Sequence, residues 1–179
     1  MAVLLCSKRV AGKSLTRTMV YIPVLMSALV VGITINWMFS QEYGLVNFII
    51  RSMGGTALEW SLNPRLATFV IAFASVWASI GFNMILYIGG INSISNDLYE
   101  AATIDGASGV QAFFRITVPM LAPTTFMVVL LSTVNLLKEY ALVQGITQGG
   151  PGLSTTFIIQ YIFDKGFNQM QYGYASAIS

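Results

Sequence analysis

Two stretches of the chain, residues 18–41 and 66–96, carry no charged side chain, and a third uncharged apolar stretch fills residues 120–137. Each is long enough for a helix to cross a hydrocarbon core of about 30 Å, which takes roughly 20 residues. The pattern predicts membrane spans over residues 18–40, 66–90 and 120–140. The segments between them, 42–65, 95–119 and 141–168, are more polar. Lys8, Arg9, Lys13 and Arg17 stand just before the first span, so that end is expected in the cytoplasm. Trp37 near the other end fits an interfacial aromatic belt. In this orientation residues 42–65 and 141–165 are external and 95–119 cytoplasmic. Arg115 adds to the inner charge, while Arg51, Arg65 and Lys165 fall outside, so the bias is modest.

The polar segments have local patterns of their own. Residues 97–123 read as two short helices around a glycine turn. Asp97 is placed to cap the first, with Glu100 closing a capping box. Gly106 is a left-handed stop. Ser108 caps a second helix through Val110, Phe113, Phe114 and Thr117. Pro119 and Pro123 set where the next span begins. In the first external segment Leu45, Phe48, Ile49 and Met53 recur at helical spacing, predicting a short surface helix stopped by Gly54-Gly55. Trp60 and Pro64 fall in a loop. The apolar run 157–163 is too short to span and predicts a short helix at the outer face.

Composition sharpens the class. Of 179 residues, 55% are hydrophobic and 9% charged, against roughly 25% charged in soluble domains. An all-α, polytopic helical membrane protein is expected, surrounded by lipid. A net charge of +2 gives no reason to expect a nucleic-acid partner, and the absence of His removes imidazole ligation and His acid–base chemistry. Cys6 is the single cysteine, so neither an internal disulfide nor a cysteine cluster can form. No catalytic constellation, metal site or cofactor site is expected. Ala11-Gly12-Lys13-Ser14 is not a phosphate loop, because Ser7 stands where that pattern requires glycine. Residues 1–6, apolar and followed by cations, read as the tail of an earlier membrane helix or as a frayed terminus.

Polar residues within the spans are the candidates for a solute pathway. Gly81 and Asn83 interrupt the apolar face of the second span; Asn83 serves either as interhelical glue or as a pathway group. Asn135, Lys138 and Glu139 are spaced i, i+3 and i+4 and would share one helix face near the outer end of the third span, with Tyr140 beside them. Charges at that depth face a wet interior or snorkel to the surface.

Glu100-Ala101-Ala102, Gly106, Ile116 and Pro119, at these spacings, resemble the EAA loop of ABC-importer permease subunits, with Val118 where leucine is usual. The resemblance implies a type I ABC importer permease-like fold, of which residues 1–179 would be a piece ending at the start of a further span, 169–179. It implies that Glu100, Ala101, Ala102, Asp105, Gly106, Ile116 and Pro119 form a cytoplasmic coupling helix seated on an ABC ATPase dimer. The chain itself would not be an enzyme. The expected partners are that dimer, a second permease subunit and an extracytoplasmic solute-binding protein, in a bacterial inner membrane. Gly149-Gly150-Pro151-Gly152 is similar to the family's external GGPG loop, although the run makes a turn on any reading. Lys138-Glu139-Tyr140 with that loop is most similar to permeases for sugars and glycerol-phosphate, leaning toward oligosaccharides. The alternatives are import of another small solute, and an ATP-independent channel or secondary transporter. An intramembrane enzyme is disfavoured by the missing catalytic groups.

Overall fold

A computed structural model describes residues 13–179 of the chain. The readings of residues 1–6, Cys6, Lys8, Arg9 and Ala11-Gly12 lie outside the described residues. Among those described, every regular element is helical. They are α1 (Lys13–Leu25), α2 (Ala28–Met38), α3 (Leu45–Ser52), α4 (Pro64–Asn92), α5 (Asn96–Ile104), α6 (Gly109–Met120), α7 (Ala122–Leu137), α8 (Ala141–Ile146), α9 (Ile158–Phe163) and α10 (Tyr172–Ile178). α4, with 29 residues, is long and apolar enough to cross a membrane unaided; α6 and α7 reach that length only as a pair bent by 58°.

The residues expected to form one helix over 18–40 form two. α1 contains Pro23 and ends at Leu25. Ser27 then turns extended, with ψ 142°, and its hydroxyl accepts from the Val30 N–H at 3.3 Å, starting α2. A side chain thus satisfies one of the amides that every helix start leaves free. The third apolar stretch is also shorter than expected. α7 stops at Leu137, and the Glu139 N–H bonds to the Leu136 carbonyl in a tightened last turn.

Two compact units divide the chain. One, residues 23–78 and 134–179, is built on α2, α8 and the start of α4. Its core is Val31, Ile35 and Phe39, Val70, Ile71 and Ala74, and Leu142, Val143 and Ile146, closed by Trp60. α8 lies on α2 at a pair of glycines. A Cβ built on Gly145 would lie 2.9 Å from the Leu29 carbonyl oxygen and 3.0 Å from the Gly32 Cα; one on Gly32 would lie 2.6 Å from the Leu142 oxygen. Those neighbours are backbone atoms, so only glycine permits the crossing. Residues 141–146, expected within an external polar segment, form a short helix that buries Leu142, Val143 and Ile146.

The segment after α2 is held by one amide. Asn47, on α3, is fully buried. Its Nδ2 donates to the carbonyls of Leu58 (2.9 Å), Gln41 (3.2 Å) and Ser40 (3.4 Å), and its Oδ1 accepts from the Leu58 N–H and the Trp60 indole N–H, both at 3.0 Å. Trp60, read as a loop residue, is thereby locked into the core, edge-on to Phe39 at 5.0 Å. α3 forms as the spacing predicted and ends before Gly54, whose φ is +82°. Val46 and Ile50 pack inward while Leu45, Phe48 and Ile49 stay exposed.

The other unit, residues 13–22 and 79–133 of the described chain, holds the C-terminal end of α4, α5, α6 and most of α7. α4 meets α7 closely: a Cβ on Gly90 would lie 2.9 Å from Leu121 Cδ2 and 2.5 Å from Thr124 Oγ1. Tyr87 donates to Thr125 Oγ1 at 3.3 Å across the same contact.

Candidate functional site

The loop between α4 and α7 forms the helix–turn–helix expected, with one correction at its start. Ser95, not Asp97, caps α5: its side chain accepts from the Asp97 N–H at 3.3 Å, and Glu100 closes no box. Asp97 instead lies in the first turn, where a negative charge suits the helix dipole. At the other end Gly106 has φ +74°. The Ala107 N–H reaches back to the Ala102 carbonyl at 2.9 Å and the Gly106 N–H to Thr103 at 3.1 Å, the paired bonds of a Schellman stop. A Cβ on Gly106 would meet nothing within 4 Å. Glycine is required there by backbone conformation, not by space.

The capping box belongs to α6. Ser108 accepts from the Gln111 N–H at 3.3 Å, and the Gln111 side chain accepts from the Ser108 N–H at 2.8 Å. α6 then widens into a π turn over Phe113–Thr117. Pro119 explains it: the ring clashes with a preceding carbonyl and offers no N–H, so the ladder loosens before it. The break follows at Leu121, and Pro123 lies in the first turn of α7, where its missing N–H is harmless.

The loop presents an acidic and apolar surface. Glu100, Ala101, Asp105, Gly106 and Pro119 are exposed, and Ala102 and Ile116 half-buried. Ile104 is 86% exposed and Val110 and Phe114 are exposed with it. A lipid-lying helix would line its polar face with Lys and Arg; this loop has Arg115 alone against Asp97, Glu100 and Asp105. Sequence reasoning missed one tie within it: Tyr99 Oη lies 2.9 Å from the hydroxyl of buried Thr117. Tyrosine and threonine eighteen residues apart give no local signal of such a pair.

The other candidate residues are not brought together as expected. Asn83 is half-buried on α4, in the unit that holds the loop. Asn135 and Lys138 are exposed, Asn135 on the last turn of α7 and Lys138 just past it. Glu139 has left the helix, so it does not share their face. Its Oε1 accepts from the Leu142 N–H at 3.0 Å, which satisfies an amide in the first turn of α8 from the position before the N-cap, Tyr140. Tyr140 packs its ring 5.3 Å from that of Phe163. Nearby, the GGPG turn is buttressed from beneath: Thr155 hydrogen-bonds Thr147 at 2.8 Å and the Gly150 carbonyl at 2.6 Å, and Gln160 Nε2 donates to Gln144 at 2.9 Å.

Comparison with known proteins places this architecture. The whole sequence, residues 1–179, matches the family described as binding-protein-dependent transport system inner membrane component. The chain belongs to that family. It is 36% identical over 98% of its length to the trehalose/maltose transport system permease protein MalF of Thermococcus litoralis. It is 32% identical over 99% of its length to the arabinooligosaccharides transport system permease protein AraP of Halalkalibacterium halodurans. Among solved structures it is similar, with a TM-score of 0.86 and 25% identity over 99% of the chain, to a chain of a bacterial ABC transporter involved in the import of the acidic polysaccharide alginate. The chain spans 59%, 57% and 63% of the lengths of these three proteins. The all-helical permease fold expected from the sequence is therefore correct, and the family is one of transport components, not enzymes.

Proposed function

We propose that this chain is part of a permease subunit of an ATP-driven importer, lining the path of a sugar of the oligosaccharide class in a bacterial plasma membrane. The carrying observation is the match along nearly the whole chain to a family of binding-protein-dependent systems whose similar members include trehalose/maltose and arabinooligosaccharide permeases. The exposed, acidic and apolar face of α5–α6, with Glu100, Asp105, Ile104 and Phe114, supports docking to a separate ABC ATPase, where ATP would be hydrolysed. A second permease subunit would cover exposed apolar faces such as Phe126, Met127 and Leu130 of α7. A solute-binding protein would approach the segments 42–65 and 141–168; one structural relative is recorded in complex with alginate pentasaccharide-bound periplasmic protein. Asn83, Asn135, Lys138 and Tyr140 are proposed pathway groups, offering hydrogen bonds and an aromatic face to sugar hydroxyls and ring carbons.

Import of another small solute has one observation in its favour, 31% identity to an sn-glycerol-3-phosphate permease of Agrobacterium fabrum. Purification from bacterial membranes tests the proposal: an ATPase should accompany the chain, and the assembled complex should take up labelled oligosaccharide. Cysteines placed at Ser108 and Ser154 test the orientation. Ser154 should label from outside sealed cells and Ser108 only after permeabilisation. Labelling of Ser108 from outside, or purification without an ATPase, refutes the reading.

A further inference from the structure

The 2.9 Å bond between Tyr99 and Thr117 ties the middle of α5 directly to α6. Tyr99 immediately precedes Glu100, on the exposed face offered to the ATPase. Thr117, 5% exposed, ends the π turn, where the Val118 N–H bonds back to the Phe113 carbonyl. Four residues later the chain bends by 58° into α7, and that elbow is seated on α4 through Gly90, Leu121 and Thr124.

A displacement of α5 therefore has two routes to the elbow. One runs through the backbone at Gly106, Ala107, Ser108 and Gly109. That route is held by local bonds alone, the stop at Gly106 and the box at Ser108, and it pivots on two glycines, Gly106 and Gly109, at which an added Cβ would meet nothing within 4 Å. The other is the side-chain bond, which bypasses the turn. We propose that Tyr99 and Thr117 are positioning residues for transport: their shared hydrogen bond makes α5 and α6 move as one body, so that a push on α5 reaches the elbow at Leu121 instead of being absorbed at the glycine turn. This rests on the reading of α5–α6 as the ATPase-facing loop.

The test uses the complete importer in proteoliposomes, reading solute imported per ATP hydrolysed. Tyr99→Phe and Thr117→Val each remove one hydroxyl. Each should lower that ratio by about threefold to tenfold, the range one net hydrogen bond supports, with the ATPase still co-purifying. Because the two share one bond, the double variant should be no worse than either single. Thr117→Ser separates positioning from packing: it keeps the hydroxyl and should keep the ratio near wild type, although losing a buried methyl lowers the thermal midpoint. A wild-type ratio in both single variants overturns the proposal. So do losses that multiply in the double, or a Thr117→Ser variant as uncoupled as Thr117→Val. A wild-type complex that carries no ATPase overturns the underlying functional reading as well, and is told apart by that result alone.

Discussion

Replacing Asn47 by alanine should loosen the whole segment between α2 and α4. The side chain makes a reciprocal pair of bonds with the Leu58 backbone, at 2.9 and 3.0 Å, and holds the Trp60 indole at 3.0 Å. Alanine leaves the Leu58 N–H and C=O and the Trp60 N–H without partners. A buried group so stranded costs about 1–3 kcal/mol. Trp60 is 8% exposed and bears that cost in full, whereas Leu58 is 37% exposed and water can reach it. The net loss should be about 2–4 kcal/mol. Asn47→Asp should not restore it. An aspartate keeps an acceptor for the two N–H groups but turns its second oxygen toward the carbonyls of Ser40, Gln41 and Leu58. Trp60→Phe, which removes only one of the bonds with some ring volume, should cost less than Asn47→Ala. Thermal unfolding of the purified protein in detergent, followed by tryptophan fluorescence, reads the loss. Limited proteolysis should show new cleavage between Gly54 and Glu59. An Asn47→Ala protein with the wild-type midpoint and cleavage pattern would refute the view that this amide holds the segment.

Other substitutions separate backbone, packing and capping effects. Gly106→Val forces a β-branched residue to φ +74°, which costs about 1–2 kcal/mol; it should weaken ATPase association and transport while the chain still inserts, and normal transport would count against the turn. Gly145→Ala meets backbone at 2.9–3.0 Å and should cost about 1–3 kcal/mol in thermal stability through overpacking. Its control, Gly89→Ala, has nothing within 4 Å and should be neutral or stabilising by up to about 1 kcal/mol; equal effects would dismiss the close crossing. Glu139→Ala should cost about 1 kcal/mol as a lost cap, with Glu139→Gln keeping most of it. Lys138→Ala should leave stability unchanged and act, if it lines the path, on uptake alone; a destabilised Lys138→Ala would contradict its exposed, unpaired placement.

What the sequence could show depended on how local the cause was. α3, the left-handed stop at Gly106 and the Ser108 cap are dictated by residues within one turn of each other, and all were readable. The cap of α5 was misplaced by two positions because Ser95 and Asp97 are both good caps, and only the backbone decides which stands at the helix start. α8 was missed for a different reason. Ala141–Ile146 is six residues long and follows two charges, so it reads as loop; what makes it core is Gly145 meeting Gly32 across 113 residues of chain. The Asn47 and Tyr99 bonds share that character, since amides and hydroxyls carry no spacing rule that names a distant partner. The candidate face of Asn135, Lys138 and Glu139 assumed the helix ran on to Tyr140, and its end at Leu137 removed Glu139 from it.

Four of the helix starts share one physical cause. The first N–H groups of a helix have no partner within it, and lipid offers none, so an acceptor from the protein itself stabilises the start. Ser27 supplies it for α2, Ser95 for α5, Ser108 for α6 and Glu139 for α8. Ser27 is small enough to sit in an apolar run without exposing charge, and Ser95 and Ser108 play the same part in the polar segment 95–119. The exception is informative: the first turn of α8 is bonded by the Glu139 carboxylate, which α7 would have carried on its last turn had it continued. Capping therefore accounts for a charged residue next to a membrane span without invoking the transported solute. Among the described residues Lys138, exposed just past α7, makes no such bond, and uptake by the Lys138→Ala variant decides between the proposed pathway role and a side chain that simply reaches the surface.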